Sequence, residues 1–267
     1  MSKLRFVKMV ASGNDFVVMD SRGTKGKGYT KQAQILCERR TGIGADGLLI
    51  LEDSKKADFR MRIFNADGSE AEMCGNGLRC AALYAYKNKK GLRIETEAGI
   101  YEATVTAKDR VKIKMEESKD IKLDVQIKVN TRSLKVNYVD TGVPHVVIFV
   151  QGLEGIDVEG IGRDIRYHDS FKPRGTNVDF VEVIDDKKIK MRTYERGVEG
   201  ETLACGTGAV ASAVITAFTL KVKACAIAVH AKGGDMKVSF NKLGNKIRDV
   251  YLEGNVREVY KGEVSYV

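Results

Sequence analysis

The stretch MRIFNADGSEAEMCGNGLRCAALYAY (61–86) returns in altered form as MRTYERGVEGETLACGTGAVASAVITAF (191–218). Met61 aligns with Met191 at an offset of 130, and Cys74 with Cys205 at 131, so one residue is inserted between the two anchors. A second pair agrees: ASGNDFVVMD (11–20) is echoed by DTGVPHVVIF (140–149), with Gly13 against Gly142. Nearly one offset at three points marks an internal duplication. The chain reads as two homologous halves, 1–122 and 123–267, joined near the charged segment MEESKDIKLD (115–124). β-rich runs at Phe16–Met19, Leu48–Glu52, Arg93–Glu97, Val111–Met115, Val146–Val150, Phe180–Ile184, Ala226–His230 and Val250–Glu253 predict strands. Lys31–Arg40, ending at Gly42, and the stretches after Gly77 and Gly208 predict helices. Each half is therefore expected to be an α+β unit.

The repeated Cys-Gly-x-Gly carries the chemistry. Cys74-Gly75-Asn76-Gly77 and Cys205-Gly206-Thr207-Gly208 both stand where a helix is predicted to begin. The first backbone N–H groups of a helix have no intrahelical partner, and the helix dipole adds partial positive charge there. Such a terminus binds a carboxylate or phosphate and favours the thiolate of a nearby cysteine. A small buried cysteine is the blander alternative; two copies at matched positions of a duplicated chain favour function. Two thiols suit stereochemical inversion: one removes a proton from a carbon, and the other delivers one to the opposite face. The two helix starts would hold the negative charge that develops on the substrate.

Composition narrows the classes. The 267 residues are long enough to bury a sizeable core, and 43% hydrophobic with 30% charged is ordinary for a globular protein. No run approaches the roughly 20 apolar residues of a membrane helix, and the start MSKLRFVKMVASGNDF has no signal-peptide pattern. A cytoplasmic protein without a membrane partner is expected. The net charge of +9 comes from lysines scattered along the chain (Lys55-Lys56, Lys87 to Lys90, Lys187-Lys188, Lys221 to Lys223), not from a stripe interleaved with aromatics, so nucleic acid is not expected as a partner. Five cysteines, with no C-x-x-C pair and three isolated histidines, predict reduced thiols and no metal site. Cys37, Cys80 and Cys225 read as core, and His168 and His230 as structural.

Gly42-x-Gly44-x-x-Gly47 has dinucleotide-fingerprint spacing in the wrong context, since a helix precedes it and a strand follows; a turn needing positive φ fits better. Glu195 and Arg196 replace Asn65 and Ala66 of the first half. A ligand with unlike ends needs unlike walls: Arg grips a carboxylate bidentately, and Glu holds an ammonium. A surface ion pair is the alternative. His145, opposite Phe16 in the repeat, is placed to tune Cys205 or orient a ligand, or to serve as a hydrogen-bonded strand histidine.

The segments GNDFVVMD, GIGADG, FNADGSEAEMCGNGLRC, GVPH, RGTNVDFVEV and YERGVEGETLACGTGAVA, in order from residue 13 to 211, resemble those of diaminopimelate epimerases. Proline racemases share the two-cysteine design, but their first motif usually reads MCGHG, and Asn76 stands here. The resemblance implies two pseudo-symmetric α/β domains, each a strand barrel around a central helix, with the active site in the cleft between them and the final strand, about 256–267, returning to the first domain. It implies interconversion of LL- and meso-2,6-diaminopimelate without a cofactor, in lysine and peptidoglycan precursor synthesis, by a homodimer. Cys205 matches the thiolate that takes the proton from the LL substrate, and Cys74 the thiol that returns one. His145 and Glu195 match positions that assist catalysis. Gly75, Asn76, Gly206 and Thr207 match the turns around the reacting carboxylate, and Asn14, Asn65, Asn177, Glu195 and Arg196 match residues that hold the substrate. Val143 and Gly47 depart from the family's frequent Asn and Gln. A racemase or epimerase of another amino acid, such as proline or hydroxyproline, and a binding relative without turnover are the competing readings.

Overall fold

A computed structural model describes residues 2–24, 26, 28–86, 91–222 and 226–266. Cys225 and the lysines of 87–90, with Lys223, lie outside the described residues. The chain divides into two compact units, 1–113 with 254–267, and 114–253.

The first unit contains β1 (Ser2–Ala11), β2 (Asn14–Asp20), α1 (Tyr29–Leu36), β3 (Gly47–Glu52), β4 (Phe59–Asn65), the short β5 (Glu70–Ala71), α2 (Gly75–Ala85), β6 (Leu92–Thr96), β7 (Gly99–Ala107) and β8 (Arg110–Lys114). The second contains β9 (Lys119–Val129), β10 (Arg132–Asp140), β11 (Pro144–Phe149), α3 (Val158–Arg166), β12 (Asn177–Asp185), β13 (Lys188–Glu195), β14 (Gly200–Thr202), α4 (Gly206–Thr219), β15 (Ala226–Ala231) and β16 (Gly234–Leu243). The long β17 (Lys246–Tyr266) begins in the second unit, and its second part pairs antiparallel with β1 from Ala11↔Val256 to Ser2↔Tyr266.

The duplication is visible in the hydrogen-bonding order. In the first unit β1–β2 is antiparallel, β2–β3 parallel, β3–β4 and β4–β5 antiparallel, β4–β6 parallel and β6–β7 antiparallel. In the second, β10–β11, β11–β12, β12–β13, β13–β14, β13–β15 and β15–β16 repeat that series without change. The first unit closes through β7–β8, β8–β17 and β17–β1 into a barrel. The parallel pairs need crossovers, as parallel strands do; the β2–β3 crossover carries α1 and the β11–β12 crossover carries α3.

In each unit a helix packs inside the curl of the strands. α2 packs on β1, β2, β3, β4, β6 and β7, and α4 on β9 to β13, β15 and β16. A helix surrounded by strands must be apolar and slim on every side. The run Ala209-Val210-Ala211-Ser212-Ala213-Val214-Ile215-Thr216-Ala217 is buried throughout, with the two hydroxyls the only polar side chains in it. Both faces of these strands are equally dry: Leu48, Leu49, Ile50 and Leu51 of β3 are all fully buried, with Leu48 and Ile50 packed with Leu36 of α1, and Val178 and Val181 of β12 are fully buried too, with Val178 packed with Ile165 of α3. Each such side chain contributes about 1.5–3 kcal/mol on burial.

One local expectation is corrected. The helix expected at Lys31–Arg40 spans only Tyr29–Leu36, because the N–H groups of Ile43 and Gly44 turn back onto Leu36 O. Gly44 takes φ +78°, and a Cβ at Gly42 would collide with Ile35 O, so these glycines serve the helix stop. The charged joint around 115–124 contains the start of β9, whose lysines and aspartates face outward while Ile127 and Val129 reach the core. No described helix is long and apolar enough to cross a membrane.

Candidate active site

Both cysteines occupy the position just before a helix. Cys74 is extended (φ −145°, ψ 120°) and its carbonyl accepts from Leu78 N at 2.8 Å; Cys205 is extended (φ −113°, ψ 119°) and its carbonyl accepts from Ala209 N at 2.9 Å. The second glycine of each turn is tightly packed, while a Cβ at Gly75 would meet nothing within 4 Å. A Cβ at Gly77 would lie 3.0 Å from Leu49 Cδ2, and one at Gly208 would run into Asp179 Oδ1.

The two sulfurs are hydrogen-bonded with opposite polarity. Cys74 Sγ donates to Asn14 Oδ1 at 3.8 Å. Asn14 is held with that oxygen toward the thiol because its amide donates to Asp46 Oδ2 at 2.6 Å. Asp46 is gripped by Arg39 at 2.6 Å, and Arg39 also binds Asp15. Burial pushes the Asp15 carboxyl up, but Arg39 and Lys8 outweigh it and hold it at about 2. Asn76 Nδ2 donates to the same Asn14 oxygen at 3.5 Å. Cys205 Sγ instead accepts from Gly208 N–H at 3.4 Å and lies 3.4 Å from Thr207 Oγ1. Donors aimed at sulfur favour thiolate, whereas a carbonyl acceptor favours thiol.

Behind Cys205 lies a buried polar chain. His145 Nδ1 is 2.7 Å from Asp179 Oδ2, both side chains fully buried. Thr193 Oγ1 donates to Asp179 Oδ1 at 2.7 Å. Asn177 Nδ2 donates to Pro144 O at 3.1 Å and lies 3.4 Å from His145 Nε2, and Asn177 Oδ1 accepts from Arg196 N at 2.8 Å. This network fits an imidazole with Nδ1–H on Asp179 and the Nε2 lone pair toward the Asn177 amide. Burial, then Glu195 and Asp179, push the Cys205 thiol well above its ordinary value, against the pull of Thr207 and Gly208 N–H. Burial likewise raises the Glu195 carboxyl, opposed by Thr202 and His145.

Arg196 donates to Arg174 O at 3.2 Å and makes no ion pair among the described residues. Burial and the neighbouring Arg174 and Arg166 lower its pKa, while those two neighbours have carboxylate partners of their own, Asp140 and Glu199. Asn65 ends β4 and donates to Ser69 Oγ at 3.0 Å, separate from the Asn14 group. Cys37 and Cys80 are core: burial lifts the first to about 11 and the second further. Gly47, where the family often carries Gln, packs so that a Cβ would come within 2.8 Å of Phe64 O.

The diaminopimelate epimerase family model matches residues 6–121 and 137–259. The chain belongs to the diaminopimelate epimerase family. A diaminopimelate epimerase from Aquifex aeolicus is 39% identical, covering 98% of this chain and 98% of that protein. Another from Hydrogenobaculum sp. is 42% identical over 97% and 98%. The crystal structure of a Bacillus anthracis phenazine biosynthesis protein of the PhzF family shares the fold, with TM-score 0.73 over the whole of both chains at 19% identity. Membership makes the chain an isomerase. It also sets apart what the family's motifs did not point to in this sequence: Asp179 under the Gly208 turn, Asp46 behind Asn14, and Arg79 within α2. Each had a signal, namely an Asp inside the dry run NVDFV, an Asp in GIGADG, and an Arg in a helix otherwise small and apolar.

Proposed function

We propose that the protein interconverts LL- and meso-2,6-diaminopimelate without a cofactor, Cys205 taking the α-proton of the LL isomer and Cys74 delivering one to the opposite face. The observation that carries this reading is the opposite polarity at the two sulfurs, Gly208 N–H donating to Cys205 and Cys74 donating to Asn14. The Cα–H bond breaks as an S–H bond forms on Cys205, and the electron pair moves into the α-carboxylate. The Cys74 S–H bond then breaks as the new Cα–H bond forms. The turns at Gly75-Asn76 and Gly206-Thr207 present backbone N–H groups and helix dipoles to that carboxylate. The substrate ammonium, held by Glu195, brings the positive charge that Cys205 needs to ionise; His145, oriented by Asp179, polarises the same region. Asn14, Asn65, Asn177 and Arg196 hold the remainder of the substrate. The setting is lysine and peptidoglycan precursor synthesis in the cytoplasm.

Turnover of LL-diaminopimelate in deuterated water, run beside proline and hydroxyproline, tests this. Inversion of diaminopimelate with one deuterium gained at the inverted carbon is expected; turnover of the cyclic amino acids alone would assign another substrate, and inversion without label would remove the thiol route.

Arg196 supports a substrate with a second carboxylate. Arg196→Ala is expected to raise KM for diaminopimelate roughly thirtyfold, since a charge-assisted hydrogen bond contributes about 2 kcal/mol. An unchanged KM would remove Arg196 from the distal end.

A further inference from the structure

The duplicated helices differ in one buried charge that the proton-transfer reading does not use. Arg79 lies five residues after Cys74, where the second half has Val210. Both side chains are fully buried. Val210 is what a barrel-filling helix ordinarily places there; a guanidinium is costly to bury, and a cation near a helix N-terminus opposes the dipole.

The partners of Arg79 are all neutral. Its Nη2 donates to Asn76 Oδ1 at 2.5 Å and to Ser12 Oγ at 2.8 Å, and Nη1 reaches Gly75 O at 3.5 Å. Nε is buried without a partner, against the backbone of Gly254. No carboxylate pairs with it among the described residues. Burial lowers the pKa of the Arg79 guanidinium, opposed by the neighbouring Cys80 and Cys74, and burial keeps Cys80 protonated. The second half inverts this arrangement: Asp179 stands beneath its turn, at the strand position that Leu49 fills in the first half. One turn therefore has a buried cation behind it and the other a buried anion.

We propose that Arg79 is a positioning residue of the first turn: its fork locks Asn76 with the amide N–H toward Asn14 and the ligand, and its charge is the one against which Cys74 releases its proton. This rests on the reading of Cys74 as proton donor. An acid that must become thiolate gains from a fixed cation that needs no reorganisation. The stability lost in burying that cation is recovered only when an anion, the Cys74 thiolate or the substrate carboxylate, forms beside it.

The test uses the full chain with Arg79→Met, which matches Val210 in character, and Arg79→Lys, which keeps charge and loses the fork. One measurement is the pH profile of Cys74 alkylation by iodoacetamide in a Cys205→Ala background, read by peptide mass spectrometry; the other is kcat and KM with both cysteines present. Arg79→Met is expected to slow alkylation at pH 7 about tenfold, with the rate recovered at high pH, and to lower kcat about a hundredfold with a smaller change in KM. Arg79→Lys is expected to keep the alkylation profile close to wild type and still to lose about tenfold in kcat. A folded Arg79→Met protein whose alkylation profile superimposes on wild type overturns the proposal. Should that variant not fold, an Arg79→Lys protein with full kcat overturns it instead. The alkylation profile reads Arg79 whatever the substrate, so turnover of a different amino acid with the alkylation shift intact would sink the substrate assignment and leave the role of Arg79 standing.

Discussion

Cys74→Ala and Cys205→Ala each lower epimerisation by at least about 10⁴-fold, the upper end of what one acid or base contributes, because inversion needs both faces served. The two variants are not equivalent. With Cys74 removed, Cys205 still faces the α-proton of the LL isomer, takes it and returns a solvent-derived one to the same face. Cys74→Ala in deuterated water therefore labels LL-diaminopimelate without inverting it and leaves the meso isomer unlabelled at that centre; Cys205→Ala does the reverse. NMR of each isomer after incubation reads this directly, and equal labelling of both isomers by either variant would break the assignment of faces. The pH dependence has a definite sign. Burial with Glu195 and Asp179 raises the Cys205 thiol; the base must be thiolate, so kcat/KM for the LL isomer rises with pH through the neutral range. A profile falling with pH over that range would contradict Cys205 as base.

Asp179→Asn is expected to cost about 10²–10⁴-fold in kcat while binding changes little. Asp179 accepts from His145 and from Thr193 through its two oxygens. An amide accepts through one and must turn its NH₂ toward one of those donors. If it faces His145, the imidazole is forced into the other tautomer; if it faces Thr193, the hydroxyl loses its acceptor. The first outcome resembles the loss seen when the orienting carboxylate of a catalytic histidine is replaced by an amide. Steady-state kinetics with a thermal melt separate this from unfolding, and a folded Asp179→Asn protein within threefold of wild-type kcat would reduce Asp179 to a packing role.

The paired cysteine turns are legible in the sequence alone. Cys74 and Cys205 were visible as a pair because a duplication compares a chain with itself, and Cys-Gly-x-Gly followed by small apolar residues is a local helix-start signal. The Glu195-Arg196 asymmetry came from the same comparison. Asp179 does not stand out within RGTNVDFVEV, because its meaning depends on the parallel register that sets His145 opposite Asn177. The end of α1 is not legible in the sequence because a chain reversal onto Leu36 O, not propensity, stops it.

Short-range rules and self-comparison thus determined the duplication and the two helix starts with a cysteine at each; the central place of those helices was implied only by the family resemblance. Tertiary structure alone decided which charge lies behind each turn. Arg79 could have pointed to water from a surface helix; it is buried because its face of α2 packs against the strands of the first unit. Asp179 could have faced outward from an edge; it meets Gly208 because β12 is packed against α4. Burial converts those two side chains from ordinary surface charges into fixed fields, since a charge acts strongly only where water cannot screen it.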